Sequence, residues 1–304
     1  TKQEQQELLN IVIVGGGATG IEVAGILSEM KKFVLPNDYP DMPSSLMHIY
    51  LIEAGPRLLA GMSEESSAHA EQFLREMGVN ILLNKRVVDY RDHKVVLEDG
   101  TEIATRTFIW VSGVTGVTIG NLDASLIGRG GRIKVDSFNR VEGMNNVFAI
   151  GDQCIQLADE NYPNGHPQLA QVAIQQGELL AKNLVRMEKG REMKPFHYRN
   201  LGSMATVGRN RAVAEFSKVK MQGWFAWVMW LVVHLRSILG VRNKVIVLLN
   251  WVWNYFTYDQ SMRMIVYARK AKEIRDREKV EETTHWGKEL VQEEKNPSTT
   301  SSSK

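Results

Sequence analysis

From Asn10 to Glu29 the chain reads NIVIVGGGATGIEVAGILSE, and this stretch limits the fold more than any other. Ile11, Val12, Ile13 and Val14 form a β-branched apolar run, the pattern of a strand buried in a parallel sheet. Glycines follow at once, and then a helical pattern carrying Ile21, Ala24, Gly25, Leu27 and Glu29. Gly15, Gly17 and Gly20 fall at G-x-G-x-x-G spacing, with Gly16 inside the turn. In a strand–turn–helix setting each has a task. Gly15 allows the tight turn, Gly17 lets the backbone approach a pyrophosphate, and Gly20 lets the helix pack close to the strand. Unpaired N–H groups at the helix start favour phosphate. A glycine-rich turn without a ligand is the weaker reading, because spacing and context agree.

The same fingerprint needs an acid at the end of its second strand. Met47 to Ile52 is the next strand-like run, and Glu53 ends it. A carboxylate there accepts hydrogen bonds from the adenosine ribose and repels a 2′-phosphate, so NADH is expected over NADPH. The spacing exceeds the usual ~20 residues. Phe33 to Ser45, with Pro36, Pro40 and Pro43, reads as a loop that takes up the difference. Arg57 lies close enough to weaken the discrimination, although an exposed surface charge is the preferred reading.

A chain of 304 residues has room for two domains, and a net charge of +2 gives no reason to expect nucleic acid. Its single cysteine, Cys154, argues against a disulfide framework and for a reducing compartment. Residues 1–9 read as frayed or as the end of a linker. Residue 1 is Thr, and the binding fold begins almost at once, so a piece of a longer protein is expected. Ser63 is a plausible helix N-cap, with Glu64 and Glu65 in the first turn of a helix reaching Met77. Strand patterns follow at Val79–Leu83, Arg86–Tyr90, Lys94–Leu97 and Thr107–Val111, with Asp99-Gly100 as a tight turn. Gly113 lets the chain turn sharply beside a nucleotide.

Further on, NVFAIGD from Asn146 to Asp152 reads as a strand ending in Gly151-Asp152, which places a carboxylate at a strand's carboxyl end. Gly130 to Asp136 resembles a hairpin leading into it. Pro167 to Val185 reads as a helix with Pro at its first position. Gln168, Gln171 and Gln175 then share a face, and Ala170 and Ala173 are small enough for a flat ring to come close. An amide both donates and accepts, so this face can meet either a carbonyl or a hydroxyl oxygen. A solvated glutamine face is the alternative. His166 has no acids or histidines at ligand spacing, so it is not read as a metal ligand.

Gly202 to Gly208 reads as a strand with glycines at its edges. Two apolar runs follow, Met221–Leu235 and Val245–Phe256, and five of the seven tryptophans lie between Trp224 and Trp253. Neither run reaches the ~18–20 uncharged residues of a span. Tryptophan with flanking Lys218, Lys220, Arg236, Arg242 and Lys244 suits helices lying in a membrane interface. A buried core or dimer interface is the second reading, which leaves a homodimer open, and a true membrane span is the third. From Tyr267 the charge rises, giving an exposed helix, and Asn296–Lys304 is disordered by composition.

GGGATGIEVAG, LIEAGPRLL, TFIWVSGV, VFAIGD and AQVAIQQG occur in that order. Together they resemble the type II (alternative, non-pumping) NADH dehydrogenases, which pass electrons from NADH through FAD to a quinone. The resemblance runs from Asn10 to about Val266. It implies an α/β, Rossmann-like flavoprotein: an NAD(H) domain at 1–118, the C-terminal part of a split FAD domain at 119–196, a membrane-associating domain at 197–268, and a charged helix and tail at 269–304. The family has two glycine-rich motifs, and only the second stands here, so the first half of the flavin domain is expected upstream. Asp152 would hold a ribityl hydroxyl of non-covalent FAD, and Gly151 would admit the backbone. Gln168 and Ala170 would also lie at the cofactor. Glu22 would sit near the nicotinamide and flavin ring and couple proton movement to hydride transfer. The competing reading of Glu22 is an exposed acid in a helix's first turn. Gln171 and Gln175 match the quinone-site motif. Peripheral attachment on the reducing, cytoplasmic side follows. A soluble pyridine-nucleotide reductase or NADH oxidase with another acceptor remains an alternative, as does a fragment that only binds nucleotide. No C-x-x-C accompanies Cys154.

Overall fold

The computed structural model describes residues 2–257 apart from Pro43, Thr118 and Lys218. The predicted charged helix and tail, and the end of the predicted C-terminal domain, lie outside the described residues. The elements in chain order begin with α1 (Lys2–Leu9), β1 (Asn10–Val14), α2 (Ala18–Glu29), α3 (Leu35–Asp38), β2 (His48–Ile52), α4 (Glu64–Glu76) and β3 (Val79–Leu82). Then come β4 (Val87–Arg91), β5 (Lys94–Leu97), β6 (Glu102–Ala104), β7 (Thr107–Trp110), β8 (Ile133–Val135) and β9 (Cys154–Gln156). The last are α5 (Ala170–Glu188), β10 (Ser203–Thr206), β11 (Ala212–Phe216), β12 (Val219–Gln222), α6 (Gly223–Ser237) and α7 (Val241–Thr257).

The first sheet has the order β3-β2-β1-β7, with every pairing parallel. All of β1 is buried because both faces are covered. Alternate residues of a strand point to opposite faces. Thus Ile11, Ile13, Ile49 and Leu51 pack with Ile21 and Ala24 of α2 and with Ala70 and Leu74 of α4. Val12, Val14 and Ile52 pack on the other side with Val95, Leu97 and Ile103 from the antiparallel β4-β5-β6 sheet. A short strand such as β6 carries too few residues to show alternation, and the sequence reading passed over it.

Several expectations need correction. Residues 2–9 are helical rather than frayed, and α1 is tied down by a distant partner. Arg106 Nε donates to Glu7 Oε2 at 3.1 Å, and the Arg106 N–H donates to the Glu7 carbonyl at 2.7 Å. The stretch from Phe33 is largely not loop: α2 runs through a π-helical turn at Met30–Val34 into α3. Pro36 sits in the first turn of α3, and its missing N–H falls where the π-helical turn gives way to α3. Residues 146–150 form only an isolated bridge, Arg140 to Phe148, and Gly151–Gln153 is a 3-10 turn. The expected hairpin at 130–136 is reduced to isolated antiparallel bridges, Ile127 to Ile133 and Val135 to Val141. A 3-10 turn at Arg129–Gly131 leads into β8, which pairs in parallel with β9. Finally, α5 begins at Ala170, not at Pro167. His166 is held by Asp159 and Arg132, and Gln168 reaches the Asp152 carbonyl, so the helix starts only where these tethers end.

Ser63 is the N-cap of α4, as expected, its side chain accepting from the Ser66 N–H at 3.4 Å. Gly202 and Gly208 bracket β10 with φ of 110° and 66°. The antiparallel sheet β10-β11-β12 carries α6, with Ala226 buried against Ala212 and Ala214. On its other side α2 approaches so closely that a Cβ on Gly25 would lie 2.6 Å from the Gly208 nitrogen. The rest of α6 is poorly covered: Phe225 is 71% exposed. In α7 no residue is buried, and Trp253 and Phe256 are 59% and 76% exposed. At 15 and 17 residues, α6 and α7 are short of the ~20 needed for a span, and no described helix is long and apolar enough to cross a membrane.

Candidate active site

The glycine turn lies at the carboxyl ends of β1, β2 and β7, where open α/β sheets bind ligands. Gly15 has φ 117°, and its N–H donates to the Ile52 carbonyl at 2.9 Å. A Cβ on Gly20 would overlap the Gly15 carbonyl oxygen. Gly17, the N-cap of α2, differs from both: no atom lies within 4 Å of where its Cβ would be. Gly15 and Gly20 are therefore fixed by the protein's own packing, while Gly17 faces open space at a helix N-terminus. That cradle fits a pyrophosphate. Gly113, after β7, has φ 82° and is likewise open.

Glu53 leaves β2 and turns its carboxylate back over the glycine turn. Oε2 accepts from the Gly16 N–H at 2.6 Å and Oε1 from the Gly55 N–H at 2.7 Å. Both oxygens keep a further lone pair for a ribose hydroxyl. Arg57 is turned to its own loop, donating to the Ala60 and Met62 carbonyls at 2.9 and 2.7 Å. Glu53→Gln keeps one acceptor oxygen and sets an NH2 against a backbone donor. We expect it to reduce the NADH-over-NADPH preference about tenfold, the worth of roughly one charge-assisted hydrogen bond. Paired nucleotide titrations check this, and an unchanged ratio would move the discrimination elsewhere.

Glu22 lies in the second turn of α2 and is half-buried, not an exposed first-turn acid. Burial pushes its carboxyl above the ordinary value, while the Thr206 N–H, 3.4 Å from Oε1, and the nearby His234 pull it back.

The second cluster surrounds Gly151, whose φ is 67° and whose N–H donates to Gln176 Oε1 at 2.6 Å. Asp152 is exposed in the 3-10 turn. These groups, with the N-terminus of α5 and its exposed Ala170, fit a hydroxyl-bearing cofactor chain. Gln176 was missed by the sequence reading. It is 1% exposed and also meets the Cys154 thiol. Its signal lay in AQVAIQQG, where it faces away from Gln171 and Gln175. Gln168 precedes the helix, so the predicted face of three glutamines reduces to two. Gln171 Nε2 donates to the Gly202 carbonyl at 3.1 Å, and Gln175 Nε2 to the Arg199 carbonyl at 2.9 Å.

His166 has a partner that spacing did not reveal. Its Nε2 lies 3.0 Å from Asp159 Oδ2, both side chains being 2% exposed. Phe196, Tyr162 and Tyr198 enclose the imidazole. No group of three or more metal-ligating side chains exists among the described residues.

The family profile described as pyridine nucleotide-disulphide oxidoreductase matches residues 1–177, and the chain belongs to that family. A second profile, the NDH2 C-terminal domain, matches residues 200–258, which sets the chain in the type II NADH dehydrogenase branch. Among its relatives is the type II NADH:quinone oxidoreductase NdhA of Mycobacterium tuberculosis, 35% identical over 82% of this chain and 54% of that protein. The mitochondrial internal alternative NAD(P)H-ubiquinone oxidoreductase A1 of Arabidopsis thaliana is 32% identical over 84% of this chain and 52% of that one. The chain thus spans about half the length of these curated relatives. In fold it resembles NDH2 of Plasmodium falciparum, solved with NADH, at a TM-score of 0.76, covering 84% of this chain and 68% of that one at 19% identity.

Proposed function

We propose that this chain is the nicotinamide-binding and quinone-side portion of an FAD-dependent NADH:quinone oxidoreductase. The observation that carries the reading is Glu53 held over the Gly16 N–H, beside the open face of Gly17. The diphosphate of NADH lies over Gly17 and the first N–H groups of α2, and Glu53 accepts from the ribose. Gly151, Asp152 and the start of α5 hold non-covalent FAD, which supplies the two-electron relay between nicotinamide and quinone. The α5 face of Gln171 and Gln175 marks the quinone side. The exposed apolar residues of α6 and α7 support monotopic attachment, which lets a lipid-borne quinone reach the site from the membrane. The cytoplasmic side is the expected one.

The test is NADH oxidation by the full-length, FAD-loaded protein with and without a soluble short-chain quinone. Quinone-dependent turnover supports the reading. NADH consumption that ignores quinone would favour an oxidase or another acceptor, and binding without turnover would favour a nucleotide-binding module.

Glu22 adds a pH dependence. Its raised pKa keeps the carboxyl protonated to higher pH than a free glutamate, so a proton is at hand below that value and lost above it. Glu22→Gln is expected to remove the alkaline limb that this loss creates in the rate–pH profile. An identical limb in the variant would show that another group titrates.

A further inference from the structure

We propose that Gln171 and Gln175 act as positioning residues: they are two rungs of a three-rung carboxamide ladder by which α5 fixes the extended strap that follows it. The third rung is Asn183. Its Nδ2 donates to the Lys194 carbonyl at 2.8 Å, and its Oδ1 accepts from the Lys194 N–H at 2.9 Å. Gln175 repeats the pattern on Arg199, donating at 2.9 Å and accepting at 3.1 Å. Gln171 closes it, donating to the Gly202 carbonyl at 3.1 Å and accepting from the Leu201 N–H at 3.0 Å. In each rung a side-chain amide stands in for the peptide of a neighbouring strand.

The spacing accounts for the arrangement. Residues 171, 175 and 183 are four and eight apart and share a helical face. From 171 to 183 the helix rises roughly 18 Å. The strap from 194 to 201 runs the opposite way and reaches at most about 25 Å. Residues 191–202 have no regular secondary structure, so these amides satisfy peptide groups that a sheet would otherwise pair. Between the rungs Leu179 packs with Phe196 and Tyr198 of the strap. Asn183 lies two helical turns beyond Gln175, and its amide is engaged in the same way.

The ladder leaves both glutamine amides with one donor and one acceptor already engaged on backbone. What it sets is the place of the strap residue whose N–H the last rung holds, just before β10. That residue is Leu201, which is 56% exposed, an apolar side chain suited to a quinone ring. This inference rests on the quinone-reductase reading for its kinetic consequence but not for the ladder itself.

Amide hydrogen exchange on the full-length holoprotein, without quinone, tests the ladder. Gln175→Ala is expected to speed exchange at the Arg199 N–H, and Gln171→Ala at the Leu201 N–H, each about tenfold or more. Unchanged exchange at both would overturn the ladder, whatever the activity. Steady-state kinetics with a short-chain quinone test the role. Both variants are expected to raise the quinone KM about fivefold, the worth of one lost hydrogen bond, and Leu201→Ala by about the same factor through lost apolar contact, with kcat within twofold. Faster exchange with an unaltered quinone KM would overturn positioning. If the wild-type protein shows no quinone-dependent turnover, the functional reading fails and the exchange result still decides the ladder.

Discussion

Gly20→Ala is expected to lower stability by about 3 kcal/mol or more, while Gly17→Ala stays within about 1 kcal/mol of the wild type. The two glycines belong to one motif but meet different surroundings. At Gly20 the added methyl meets the Gly15 carbonyl, backbone that can yield only by distorting the turn between β1 and α2. At Gly17 the methyl meets nothing, and the backbone, with φ −75° and ψ −178°, is one any residue adopts. Thermal unfolding should show a fall on the order of 10 °C for the first variant and little change for the second. NADH titration should reverse the order of interest. Gly17→Ala, still folded, should bind at least about tenfold more weakly, because its methyl occupies the space assigned to the pyrophosphate. Wild-type affinity in that variant would remove the nucleotide from this face of the turn.

Asp159→Ala is expected to cost about 3–5 kcal/mol, comparable with breaking a buried pair on one side. The carboxylate is surrounded by donors: His166 Nε2 at 3.0 Å, the Asn161 N–H at 3.0 Å and the Tyr198 N–H at 3.4 Å. Burial pushes its pKa up, but the hydrogen bonds from His166, Asn161 and Tyr198 outweigh burial and hold it below the usual aspartate range. The sign follows from the depressed value. The stabilisation is complete above the unfolded pKa, about 3.9, and is lost as pH falls through the folded one. Denaturant midpoints for the wild type should therefore fall below about pH 4 more steeply than those of Asp159→Asn, which cannot titrate. Parallel curves would assign the acid limb to other carboxylates.

The features legible in the chain are those whose partners are close in sequence. β1, the glycine turn and α2 are contiguous, so alternation, helical period and glycine spacing can be read together. Ser63 announces α4 for the same reason. Glu53 is legible as the strand-ending acid, but its grip on the Gly16 N–H spans 37 residues and leaves no local pattern. The Glu7–Arg106 contact, separated by 99 residues, turns a polar leader into an anchored helix. Gln171 and Gln175 were legible as a face, yet their strap partners have no pattern of their own. Asp159 and His166 are only seven residues apart, but the pairing is made across an irregular loop, where no periodicity applies. Pro167 invited a helix start that the tethers on His166 and Gln168 postpone to Ala170.

Cys154 gives the molecule a built-in clock. It is the chain's only thiol, and it is buried where β9 begins, beside Asn139 and Gln176. Burial raises its pKa, so little of it is the reactive thiolate while the layer stays closed. An alkylating reagent must wait for that layer to open, and the labelling rate then counts openings. Because Gln176 also holds the Gly151 N–H, the count samples the same packing that fixes the turn bearing Asp152. Any small molecule that seats on that turn should lengthen the interval between openings and slow the labelling of a single, unambiguous atom.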